Sequence, residues 1–287
     1  MNSSTTYPNW GYKVFDRRLN EVEPLLLQAL EEGRSLEVGL YFHDPATHDC
    51  LNRELPASGC RLNTHLDHRR LNLFALDDSD LVDLLRRQIE NSLHWGASYG
   101  INHLSAFTLT RRPEMQPALE QKLLQHLQIL NRVCKEYCFP IYIENTYHDI
   151  DLYRRIFLAI NRENLDQLHF CFDFGHAKVW SMHPLHAWFD FLADLERSGK
   201  RLHFHLHTNR GLSDEHLSFI EAEWMEICNI DEYTAPWNSF EALSILEQRF
   251  PHARKVMEVP PGEARENLQR VIQQFDHAGE VDSKESA

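Results

Sequence analysis

Eight short apolar or alternating segments recur along this chain, and most are followed by a longer stretch whose apolar positions fall three and four apart. The segments are "GYKVF" (11–15), "SLEVGLYF" (35–42), "CRLNTHLD" (60–67), "GINHLSAFTL" (100–109), "FPIYIENT" (139–146), "QLHFCFDF" (167–174), "RLHFHLHT" (201–208) and "RKVMEVP" (254–260). Runs of this length and period are strand patterns, whereas "DSDLVDLLRRQIENSLHWGA" and "ALEQKLLQHLQILNRVCKEY" carry the helical period. Strand and helix in alternation require crossover connections, hence a parallel sheet covered by helices. Eight such units predict an α/β protein built as a single-domain (β/α)8 TIM barrel. A length of 287 residues would otherwise suggest two domains, but it suits one barrel. The expected organisation is an N-terminal extension over 1–10, the barrel over 11–278 and a disordered tail over 279–287. Pro45 and Pro56 leave room for only a short second helix, and 211–237 reads as a long irregular connection.

A barrel of this kind carries its chemistry at the C-terminal ends of its strands. The metal-capable residues expected there are His65, His103, Glu144, Asp173 with His176 just beyond it, His205, the following Asp214 and His216, and Glu258. So many ionisable groups in one enclosed space carry a heavy desolvation cost unless cations compensate, which predicts a metal site. Carboxylates mixed with imidazoles and no thiolate suit a divalent Mn, Mg, Co or Zn ion. "RLHFHLH" sets His203, His205 and His207 on one strand face. His205 is the expected ligand; its two neighbours would support it, touch substrate or fill the barrel.

Cys50, Cys60, Cys134, Cys138, Cys171 and Cys228 lie at irregular spacings and read as reduced thiols. There is no charged-then-apolar leader and no apolar run of membrane-spanning length, so a cytoplasmic protein without a membrane partner is expected. The net charge of −14 disfavours nonspecific duplex binding, although it leaves room for a local basic patch.

"IYIENT" (141–146), "CFDFGHA" (171–177), "HLHTNRGLSDEHL" (205–217) and "VMEV" (256–259) resemble the xylose-isomerase-like barrel superfamily, which holds sugar isomerases and epimerases together with apurinic-site endonucleases. The resemblance runs from about residue 11 to residue 260. The sugar-epimerase pattern implies that Glu144, Asp173, His205 and Glu258 bind one divalent ion. It also makes Glu144 and Glu258 the acid-base pair, with His176 touching a substrate oxygen. The endonuclease pattern implies further ligands at His65, His103, His176, Asp214 and His216, and a site of two or three ions. "DFGHAKVW" is nearer the sugar-enzyme form, and Thr208 stands where an Asp is frequent.

Arg17-Arg18, Arg69-Arg70, Arg111-Arg112 and Arg210 follow proposed strands one, three, four and seven. On the rim they would clamp a phosphate or carboxylate; otherwise they pair with surface acids. Arg69, Arg70, Arg111, Arg112 and Arg210 are accordingly candidate substrate contacts beside His176. Arg86-Arg87 and Arg154-Arg155 sit on helix patterns and read as outer-face charges. The resemblance implies a metal-dependent isomerase or epimerase of carbohydrate metabolism, acting on a small sugar-like substrate, neutral or anionic. A multi-metal phosphodiesterase, a metal-dependent dehydratase and a noncatalytic binding barrel are the alternatives.

Overall fold

The computed structural model describes residues 7–110, 112–220 and 239–285. Eight parallel strands close into a barrel in chain order: β1 Trp10–Phe15, β2 Ser35–Gly39, β3 Leu62–His65, β4 Gly100–His103, β5 Ile141–Glu144, β6 Leu168–Asp173, β7 Leu202–Leu206 and β8 Arg254–Met257. Closure comes from β1 pairing with β8, Gly11 opposite Val256. Each strand falls within the segment the pattern predicted, except that β1 begins one residue earlier, and most are shorter. After His103 the chain leaves the sheet because the Ser105 hydroxyl bonds both the amide and the carbonyl of Phe107, closing a local turn.

Among the described residues, the helices around the barrel are α1 Leu19–Glu31, α2 Pro45–Glu54, α3 Asp78–His94, α4 Gln116–Tyr137, α5 Ile150–Arg162, α6 Phe174–Trp180, α7 Leu185–Arg197, α8 Ser239–Arg249 and α9 Pro261–Glu285. Pro45 is the first residue of α2, where its missing N–H costs nothing, and the Asp44 carboxylate accepts the Thr47 amide at 2.9 Å. The short α6 carries no long apolar period and was not expected. It starts because Asp173, at the end of β6, accepts the His176 amide at 2.6 Å. The final turns of α9 overlap the segment 279–287 in which a tail was expected. Of the irregular stretch 211–237, residues 221–237 lie outside the described residues, as does Cys228.

Strand alternation divides the interior into two environments. On β6, Phe170 and Phe172 point outward, where Phe170 packs against Phe157 and Phe191 and Phe172 against Trp188. These outward residues belong to the main apolar core between barrel and helices. The inward set is polar to an unusual degree: Lys13, Glu37, Asn63, His203 and His205 are all buried. Tyr99, Ile101, Tyr142 and Cys171 form a separate small apolar cluster. No helix among the described residues is long and apolar enough to cross a membrane.

Candidate metal centre

Strand register brings the predicted donors together. His103 lies opposite Glu144 across β4 and β5, and Asp173 lies opposite His205 across β6 and β7. His205 Nδ1 stands 3.2 Å from Glu144 Oε2, 3.0 Å from Glu258 Oε2 and 3.8 Å from Asp173 Oδ2. Glu144 also meets His65 Nε2 at 2.8 Å, His103 Nε2 at 3.3 Å and, through its other oxygen, His176 Nδ1 at 3.0 Å. From there the contacts continue outward: His176 Nε2 to Asp214 at 3.2 Å, Asp214 to His216 Nδ1 at 3.3 Å, and His216 Nε2 back to Glu258 at 3.2 Å. All nine predicted donors thus lie in one connected array of alternating acids and imidazoles.

His203 and His207 take different places. His207 Nε2 approaches Asp173 at 3.0 Å, and its ring stacks on His216 at 4.1 Å between centroids. That packing needs Gly175, because a Cβ there would lie 2.1 Å from the His207 ring. His203 sits deeper, 2.7 Å from the Tyr99 hydroxyl and 3.1 Å from Glu37. Beneath the centre, Lys13 Nζ bridges Glu258 at 2.7 Å and Glu37 at 3.3 Å, while Glu37 also reaches His205 Nε2 at 2.9 Å. The sequence reading missed Lys13 and Glu37, although each is the lone charge in an otherwise apolar strand segment, "GYKVF" and "SLEVG". It also missed His68, whose ring stacks on His103 at 3.9 Å.

The electrostatics favour ionised carboxylates and divide the imidazoles: burial opposes protonation at His205 and His176, but Cys171 and Glu37 at the first and Asp173 at the second outweigh it and raise both groups well above the ordinary range. Burial alone would raise the Glu144 carboxyl, but His103 and His205 outweigh it and hold the group well below its ordinary range. Burial is likewise outweighed at Glu258, here by Lys13 and His205. Burial, helped by Lys13, pushes His65 down to about 4, and burial does the same for His203. Neutral imidazole is the form that binds metals, so a cation held by His205 would displace the proton that its neighbours favour there. His205 Nδ1 and Nε2, Glu37 Oε1 and Glu258 Oε2 are buried without hydrogen-bond geometry to any partner among the described residues, despite the short distances. Such orphaned donors fit a cation, which would satisfy them. Groups of donor atoms lying within 4.8 Å of one another include His65–Glu144–His205, His65–His68–His103, and His176–His207–Asp214–His216.

The candidate arginines do not share one role. Arg69 and Arg70 both turn to Asp67, at 3.3 and 3.5 Å, and Arg69 also donates to the Tyr41 carbonyl. Arg210 pairs with Glu215. Arg112 is exposed ahead of a short 3-10 turn, Pro113–Met115, and Arg111 lies outside the described residues. Arg17 packs instead over the Phe42 ring, 4.2 Å from its centroid.

No protein-family model and no curated protein matches the sequence. Solved structures do match. The TTHB071 protein from Thermus thermophilus, soaked with zinc chloride, aligns with a TM-score of 0.68 at 20% identity, covering 94% of this chain and 98% of that one. A D-tagatose 3-epimerase-like protein gives 0.68 at 16% identity, with 94% and 98% covered. Endonuclease IV from Thermus thermophilus gives 0.57 at 14% identity, with 94% and 100% covered. At these identities the likeness is one of fold: this chain shares with these structures a closed eight-stranded parallel α/β barrel.

Proposed function

We propose that the protein is a divalent-metal-dependent isomerase or epimerase of a sugar, sugar phosphate or related polyol. The observation that carries this reading is the position of Glu144 and Glu258, two buried carboxylates held ionised against the same His205 ring nitrogen. Glu144, Asp173, His205 and Glu258 would hold the ion. When bound, it would supply Lewis acidity, lowering the cost of negative charge on a substrate oxygen. Both carboxylates rest ionised; one takes the proton from the substrate carbon, and the other relays a proton from its imidazole neighbour to the opposite side. His216 suits the role of proton supplier to Glu258, since it touches that carboxylate at 3.2 Å and its side chain is 34% exposed. His176, buried between Glu144 and Asp214, would orient a substrate oxygen.

The test is incorporation of deuterium from heavy water at the reacting carbon of ketose and aldose substrates, with Glu144→Gln and Glu258→Gln as controls. Loss of about two or more orders of magnitude in turnover is expected for each variant. Wild-type rate and metal content in both variants would refute the assignment.

The second reading, a multi-metal phosphodiesterase, draws on the two further donor groups around His103 and around Asp214. Two or three ions per chain with cleavage of an abasic-site duplex, and no deuterium incorporation, would favour it. Loss of about one ion per chain on replacing His65 and His103 together would agree with that outcome.

A further inference from the structure

A cleft of about 360 Å³ adjoins the metal centre, with Phe15, Arg17, Arg18, Glu215, His216 and Glu258 among its lining residues. Its charges are unequally paired. Glu258 has Lys13 at 2.7 Å, Glu215 has Arg210, and Glu21, also lining the cleft, has Arg18 at 3.2 Å. Among the described residues Arg17 has no carboxylate within ion-pair distance. Its guanidinium is held between aromatic rings, 4.2 Å from the Phe42 centroid and 5.8 Å from that of Phe15. Stacking of this kind orients a guanidinium while leaving its N–H donors free for an anion. Next to it, Arg18 takes a left-handed conformation with φ 53° and starts the thirteen-residue α1 without a side-chain cap. The Glu21 and Val22 amides bond the Arg18 carbonyl, and the helix start thus leaves at most the amides of Leu19 and Asn20 uncapped by a side chain.

We infer that this cleft is an oxyanion subsite, in which Arg17 binds the phosphate or carboxylate end of a sugar substrate whose reacting carbon lies between Glu144 and Glu258. The inference rests on the reading of the metal centre as the place where substrate reacts, and it names the substrate class as anionic. Arg69, Arg70 and Arg210 are less suited to the task because Asp67 and Glu215 already occupy them. A remote charged group anchored in this way supplies binding energy and fixes the register of the polyol over the two carboxylates.

The experiment is calorimetric titration of the manganese-loaded full chain with matched ligands: D-ribulose against D-ribulose 5-phosphate, and D-glucose against D-glucuronate. At least one oxyanion-bearing member should bind ten-fold or more tightly than its neutral counterpart, as a charge-assisted guanidinium contact would give. Arg17→Ala should bring that ratio below about two, and Arg17→Lys should retain part of it. Arg154→Ala, on the outer helix α5, should leave the ratio unchanged and so separates a local contact from the general field. Melting curves establish that Arg17→Ala is folded; if it is not, Arg17→Gln gives the same reading in a side chain closer in shape. The phosphate and uronate arms distinguish the two oxyanions. A wild-type ratio near one for both arms, or a ratio preserved in the Arg17 variants, overturns the inference. Repeating the titration with Glu144→Gln keeps the two proposals apart: an intact ratio without deuterium incorporation by the wild type would sink the isomerase reading and leave the subsite standing.

Discussion

Replacing Lys13 with methionine removes the one ammonium group among the described residues that faces both Glu258 and Glu37 beneath the candidate metal centre. Its Nζ lies 2.7 Å from the first carboxylate and 3.3 Å from the second, with Lys13 and Glu37 no more than 1% exposed. Burial opposes the charged form of Lys13, but Glu258 and Glu37 outweigh it and raise the group, so the ion pair is present throughout the neutral range. Methionine has nearly the same length and leaves little cavity, and the loss is therefore electrostatic. Breaking a buried pair by removing one partner costs about 3–5 kcal/mol, because the remaining charge is stranded. For a domain of this size each kcal/mol moves the melting temperature by about 2–4 °C, so a fall on the order of 10 °C is expected in chelator. Adding manganese should recover part of it, since a bound cation replaces some of the missing positive charge and stabilises by linkage, by about 2.7 kcal/mol at a hundred times the dissociation constant. Combining Lys13→Met with Glu258→Gln should restore part of the loss in chelator, because the closer of the two stranded carboxylates is then uncharged while Glu37 keeps its contacts with His203 and His205. The assay is circular dichroism against temperature and urea, with and without metal. Melting of Lys13→Met within about 2 °C of the wild type in chelator, or no recovery in the double variant, would show that Lys13 does not neutralise these carboxylates.

Two further outcomes follow from the same geometry. His205→Ala should lose the tightly bound ion, whereas His203→Ala, which removes a group set between Tyr99 and Glu37, should retain it at a cost in stability; metal analysis of the two dialysed variants decides the matter. Asp149 caps α5 and holds Ser181 and His183. Burial would raise its carboxyl, but the bonds from His183 and Ser181 dominate and lower it. Its contribution is therefore complete above the unfolded carboxyl value of about 3.9 and disappears as pH falls through the lower folded value. Asp149→Ala should cost about 1 kcal/mol at pH 7, and the difference from wild type should shrink below about pH 4 in urea titrations. A difference independent of pH would remove the carboxylate from the explanation.

The barrel was legible because secondary-structure period is a local property. A strand such as "QLHFCFDF" declares its two faces by itself, and eight alternations admit few other folds. The donors at the strand ends were legible for the same reason: His103 and Glu144, or Asp173 and His205, occupy equivalent places on neighbouring strands, so parallel pairing brings them together. Local pattern could not show what closure does. Lys13 and Glu258 come from opposite ends of the chain, and they meet only because β8 returns to pair with β1. Likewise, one strand face carries His203, His205 and His207, but their depth in the barrel assigns them to the floor, the centre and the mouth. The arginines divide by the same principle, since a guanidinium on a long flexible stem is placed by its partners rather than by its position in sequence. Sequence period determined the architecture and the ring of donors; the closed tertiary structure decided which charges cancel within it and left Arg17 without a neutralising acid among the described residues.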